Sequence, residues 1–279
     1  AKPQQTLEQT AAEALYAGEY QTAIDQLEQI AQKERKRGNW RKYVAAVRQL
    51  STAHNYISNY NKSLFYALEA LDIDSEHRDT LGMAADYMAL GSIQLNIKEY
   101  KAAETNFETV LLLAVNKSAM LERDARFNLG NIYIQTGQPG KALPYLLHCK
   151  QVDSLAKNYD NLIDDYTSLS YTYYHTTPID TLKLFRCMTE ASKYAVYNNG
   201  QSSSLGAMVK MASLSRKFGL YEQAHGILQA VDLICMLLNR PLEEAAGAKE
   251  LAHLYADQQN YPAAYRAFTN FYEMNDSLF

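Results

Sequence analysis

Five sets of residues are of types that could do chemistry. The stretch Gly137-Gln138-Pro139-Gly140-Lys141 suggests a phosphate cradle. A P-loop needs G-x-x-x-x-G-K-[ST] after an apolar strand, so that backbone N–H groups face the phosphates and a hydroxyl reaches the metal. Here Gly137 stands three residues before Gly140, and Ala142 follows Lys141 where Ser or Thr is required. Ser154-Leu155-Ala156-Lys157 matches the S-x-x-K of serine acyl-transferases, but no S-D-N or K-T-G companion follows. Asp164 and Asp165 are neighbours on a helical pattern, so their side chains diverge by about 100° and do not flank one substrate.

The histidines and cysteines are equally dispersed. His54, His77, His148, His175, His225 and His253 contain no H-E-x-x-H and no carboxylate at ligand spacing. Cys149, Cys187 and Cys235 form no C-x-x-C, which leaves neither a zinc site nor a thioredoxin-like pair. All three fall among apolar residues and read as small core side chains. No catalytic residue, metal or cofactor is expected.

The elements around these residues explain them better. Leu129, Ile132 and Tyr133 before the glycines, and Ala142, Leu146 and Cys149 after them, are spaced as on helices, so the glycines read as the turn of a helical hairpin. The hairpin recurs seven times along the chain, with Tyr20, Tyr60, Tyr100, Pro139, Ile179, Tyr221 and Tyr261 at the turn, in steps of 40, 40, 39, 40, 42 and 40. Nine residues before each turn stands Ala11, Ser51, Gly91, Gly130, Ser170, Ala212 or Ala252. A small residue at one fixed place in every unit means a close approach of two helix backbones. Three residues after the turn stands Ala23, Ser63, Ala103, Ala142, Leu182, Ala224 or Ala264. The fifth unit departs from the pattern, with Arg186 in an apolar place. Starting its second helix one residue earlier puts Phe185 there and makes its turn one residue shorter.

Leu-Gly or its substitute in the first helix, Tyr at the turn, and Ala then Phe or Leu in the second helix resemble the tetratricopeptide (TPR) repeat family over almost the whole chain. The common unit is 34 residues. A step near 40 resembles the lengthened repeats of bacterial regulators, including the Rap phosphatases and the maltose-type transcription activators. The resemblance implies an all-α, right-handed solenoid, a single unit over residues 1–279 with repeats at about 4–43, 44–83, 84–122, 123–162, 163–204, 205–244 and 245–279. The close at Asp276, Ser277 and Leu278 resembles the end of the TPR run in many such regulators, ahead of a stalk and a kinase or a helix-turn-helix domain. The uncovered Tyr265, Phe268, Phe271 and Tyr272 agree with a chain that continues past Phe279. A place on the periplasmic side of a membrane stands ahead of a cytoplasmic one.

In this family the concave surface is lined by first-helix side chains. Unit by unit, the resemblance implies Arg48, Thr52, Asn55 and Tyr56; Met88, Ser92 and Asn96; Asp124, Phe127, Asn131 and Gln135; then Asp164, Thr167, Tyr171, Tyr174 and His175; Val209, Ser213, Arg216 and Lys217; and Lys249 and His253. The Lys and Asn clamp of chaperone-tail-binding TPRs is not matched, because Phe127 and Thr52 stand at its places. A protein or peptide ligand is the expected partner, with sensing or plain scaffolding as the two roles.

Charge and hydropathy narrow the classes further. The net charge is −4 with a pI near 5.9, and the only dense basic run is 33–42, too local for nucleic acid as the main partner. The apolar runs at 110–115 and 234–238 are far short of the roughly 18 residues that span a bilayer.

Overall fold

The computed structural model describes residues 6–197, 202–238 and 240–278. Among the described residues there are fourteen α-helices and no strands, and the fold is an α-solenoid of helix–turn–helix repeats. The chain divides into two compact units, Ala1–Ile132 and Tyr133–Phe279.

The first unit holds α1 (Leu7–Ala17), α2 (Tyr20–Lys36), α3 (Trp40–Tyr56), α4 (Tyr60–Glu76), α5 (Thr80–Asn96), α6 (Tyr100–Ala114) and most of α7 (Ala119–Gln135), inside which the division falls. Polar caps start several of these helices. Asn39, Asn59 and Asp79 each accept from the backbone N–H three residues on, and Thr6 forms a full capping box with Gln9. Such caps satisfy N–H groups that the helix itself leaves unpaired.

The second unit holds α8 (Pro139–Ala156), α9 (Tyr159–Tyr174), α10 (Thr181–Tyr197), α11 (Ser202–Lys217), α12 (Tyr221–Leu238), α13 (Pro241–Asp257) and α14 (Tyr261–Leu278). Gly137 takes a left-handed φ of 70° and Pro139 opens α8, so the GQPGK stretch is a helix stop followed by a helix start. Ser58, Lys98 and Gln259 hold the same left-handed conformation in their own turns without being glycine.

The small residue of each first helix is buried in all seven repeats. In the second repeat the two small positions bind each other directly. Ser51 Oγ donates to the Ser63 carbonyl at 2.9 Å, and Ser63 Oγ donates to the Ser51 carbonyl at 2.7 Å. In the third, a Cβ on Gly91 would stand 2.7 Å from the Phe107 ring. Glycine is required there by packing.

The fifth repeat corrects the sequence reading. Its turn runs from His175 to Asp180, longer than the two- or three-residue turns of the other hairpins, and α10 starts at Thr181. Leu182 is 81% exposed, while Leu184 is fully buried with Met188 and Ala191 behind it. The register therefore moves two residues later, and Phe185 lies at the surface edge. Arg186 is exposed, so no charge enters the core. All three cysteines are buried, and no disulfide joins them. Burial pushes the Cys187 and Cys235 thiols up to about 11.

At the end of the chain, α14 leaves Tyr265 and Tyr272 exposed. It runs through Leu278, and the side chains of Ser277 and Leu278, with Phe279, lie outside the described residues.

Candidate functional site

In the first unit, α3 and α5 lie side by side as neighbouring first helices. Between them opens a cleft of about 430 Å³, walled by Thr52, Asn55 and Tyr56 on one side and Met88, Ser92 and Asn96 on the other. These are positions that the resemblance to TPR repeats implied, and equivalent faces of the two helices meet here. Asn96 Nδ2 donates to Asn55 Oδ1 at 3.0 Å, and Asn128 Nδ2 reaches Met88 Sδ at 3.8 Å. A side-chain amide carries both donors and an acceptor, so the Asn55–Asn96 pair keeps capacity for the backbone of an extended chain.

Arg48 lies in the same wall, but its charge is already used. Its Nε donates to Asp86 Oδ1 at 2.6 Å, and its other arm meets Asp74 Oδ2. Both carboxylates are buried, and Asp74 Oδ1 and Asp86 Oδ2 have no hydrogen-bond partner. Burial pushes Asp86 up to about 6 against the pull of Arg48, as expected where one guanidinium serves two desolvated carboxylates. Arg48, expected on the ligand face, lines the cleft and also ties α3, α4 and α5 together.

Further along this unit, Phe127 lies under the Arg123 guanidinium at 4.8 Å. Asp124 is 3.3 Å from Arg123, and Asn131 is half-buried on the same helix.

In the second unit, Gln135 is exposed at the end of α7. Tyr171, Tyr174 and His175 do cluster, with the His175 ring 4.7 Å from Tyr171 and 4.9 Å from Tyr174. Lys217, at the end of α11, places its Nζ 5.5 Å from the Tyr171 ring and 5.8 Å from the Tyr174 ring. Phe218 closes one side, edge-on to Tyr174 at 5.2 Å, and Phe185 packs behind it. Burial lowers His175, and the Lys217 charge lowers it further. Thr167 faces inward instead, its hydroxyl donating to the Ile163 carbonyl at 2.7 Å.

The remaining predicted cations of this unit are occupied otherwise. Arg216 donates to Glu250 Oε1 at 2.6 Å and to Asp257 Oδ2 at 2.5 Å, tying α11 to α13. Lys249 lies over the Phe271 ring at 5.6 Å, and His253 meets Phe268 edge-on at 5.3 Å. Both side chains contact rings of α14, which packs on α13. Sequence reasoning missed Asp74, Asp86, Glu250, Asp257, Phe185 and Phe218. An acid inside an apolar helical face was the available signal for Asp86.

Among the described residues no group of His, Cys, Asp and Glu is arranged to hold a metal ion, and no helix is long and apolar enough to cross a membrane.

Successive helical hairpins, with a cleft between the first helices α3 and α5, define a repeat protein of the TPR-like solenoid class. The tetratricopeptide repeat family model matches residues 124–154, along α7 and α8. The fold is similar to that of aspartyl phosphate phosphatase F from Bacillus subtilis, at 18% identity and TM-score 0.71, covering 95% of this chain and 68% of that one. It is similar to the apo form of RapI at 14% identity and TM-score 0.72, covering 96% of each chain. It is also similar to the Rap conjugation gene regulator of plasmid pLS20 in complex with the Phr* peptide, at 16% identity and TM-score 0.67, covering 96% of this chain and 74% of that one. A search of curated proteins by sequence finds no match.

Proposed function

We propose that this chain is a non-catalytic, peptide- or protein-binding TPR domain, the sensing part of a bacterial signalling or transcriptional regulator. The observation that carries this reading is the α3–α5 cleft, where Asn55, Asn96, Tyr56, Thr52, Met88 and Ser92 offer amides, hydroxyls and an aromatic ring around about 430 Å³ of open space. That mixture suits an extended peptide, whose backbone asks for hydrogen bonds and whose side chains ask for apolar walls. The similarity in fold to a Rap protein solved with the Phr* peptide supports it.

The test is thermal unfolding and small-angle scattering of the chain with a pool of short peptides. Binding raises the unfolding temperature by mass action. A sensor also changes its maximum dimension on binding, because a ligand shifts shape only by preferring one conformation. Stabilisation without a change of dimension identifies a scaffold, and loss of binding in Asn55→Ala/Asn96→Ala places the ligand in the cleft. Absence of any peptide binding defeats the reading.

A further inference from the structure

Of the four cations that the repeat pattern places on the first helices, Arg48 and Arg216 each hold two carboxylates. Lys249 is laid over one ring of α14. Lys217 is different. Its side chain is exposed, its contacts are the faces of Tyr171 and Tyr174, and no carboxylate lies within ion-pair distance of it among the described residues. The position at the end of α11 favours a cation, since helix carbonyls point there. That accounts for a positive charge but not for two tyrosine faces and an imidazole gathered around it.

The surroundings fit an anion with an apolar neighbour. Tyr171 and Tyr174 hold the ammonium in place by cation–π attraction. An ammonium held there has donors left over, because aromatic faces attract the charge without taking its N–H groups as a carboxylate does. His175 stands at the rim, exposed, and offers a further N–H. Tyr171 and Tyr174 are half-buried, and Phe218 and Phe185 extend the apolar wall beside the charge. Arg216 lies next along the chain, but Glu250 and Asp257 occupy it, so those acids do not neutralise Lys217.

We propose that Lys217, Tyr171, Tyr174 and His175 form a receptor for a peptide carboxylate with an apolar side chain beside it. Lys217 and His175 donate to the carboxylate, and Tyr174 with Phe218 takes the side chain. The site rests on the peptide-binding reading above but uses different residues from the α3–α5 cleft, so the two can fail separately. It also differs from the chaperone-tail clamp, whose places are held here by Thr52 and Phe127. The carboxylate can come from a chain terminus or from a Glu side chain.

Three probes separate these sources: N-acetyl-Ala-Phe with a free carboxylate, the same compound as its C-terminal amide, and N-acetyl-Glu-Phe-amide. Ligand-observed NMR measures binding to the full chain, and protein-observed histidine spectra give the His175 ring signals as the site-specific readout. The expected result is that the free acid binds, its amide binds at least about tenfold more weakly, and Lys217→Gln removes that difference while Lys217→Arg keeps it. Binding of the Glu probe as well extends the site to side-chain carboxylates, and its absence restricts the site to chain termini. Lys217 is exposed, so loss of fold does not confuse the variants, and circular dichroism checks this. Equal binding of acid and amide overturns the receptor while leaving peptide binding intact. Failure of all three probes to move the His175 signals overturns it too, whereas the α3–α5 cleft is judged by the Asn55 and Asn96 variants.

Discussion

Arg48 and Asp86 stand 38 residues apart in sequence and meet at 2.6 Å, joining the first helices of consecutive repeats. Asp74, buried and held by the same guanidinium, makes the tie three-way. Removing one partner from a buried ion pair leaves an uncompensated charge, at a cost of about 3–5 kcal/mol. Arg48→Met is therefore expected to lower stability by about that much at pH 7.5, read from the urea midpoint. The loss shrinks at pH 5, where the stranded carboxylates take up protons.

Asp86 also has a pH signature of its own. Its folded value is raised to about 6 from 3.8, so between those values the folded chain binds a proton that the unfolded chain releases. Its contribution to stability is present at low pH and is lost as pH rises through that window. Asp86→Asn removes this slope, which denaturation at a series of pH values measures directly. An unchanged slope in the variant contradicts the assignment.

His54 acts in the opposite direction. It is buried against Tyr66, with ring centroids 5.6 Å apart, and neither ring nitrogen has a hydrogen-bond partner. Burial lowers its pKa, Lys62 lowers it further, and Glu28 opposes them. The unfolded chain thus protonates first, and stability falls as pH drops through about 6.5, the ordinary value. His54→Phe should flatten that loss and leave stability above pH 7 within about 1.5 kcal/mol of the parent.

Gly91 and Gly206 make a matched pair. An added methyl at Gly91 meets Phe107 at 2.7 Å, whereas one at Gly206 meets nothing within 4 Å. Overpacking costs about 1–3 kcal/mol, while Gly→Ala within a helix gains about 1 kcal/mol. Gly91→Ala is expected to lower the melting temperature, and Gly206→Ala to raise it. Gly91→Ala/Phe107→Leu should recover part of the first loss.

The register of the fifth repeat is tested by two leucines. Leu184→Ala empties a fully buried place and should cost about 2–5 kcal/mol. Leu182→Ala, at 81% exposure, should stay within about 0.5 kcal/mol. Equal losses would contradict the later register of this repeat.

Much of this was legible before any coordinates. The small residue nine positions before each turn, from Ala11 to Ala252, marks where two helix backbones touch, and every one of them is buried. Gly137 and Pro139 marked a turn, because each type suits one side of a helix boundary. The first-helix faces around Asn55 and Asn96 came from the resemblance to TPR repeats. Local chemistry and period are written into consecutive residues, so they survive as pattern.

What each polar side chain does on that scaffold was settled only by the fold. Arg48 and Lys217 look equivalent as first-helix cations. One is held by two buried carboxylates from other helices, and the other lies on two tyrosine faces with no acid paired to it among the described residues. Lys249 and His253 turn to the rings of α14, and the longer turn of the fifth repeat moves Leu184 into the core. The period determined which helices lie side by side. Partner choice depends on distances between residues about 26 to 41 positions apart, and those distances exist only once the helices have packed.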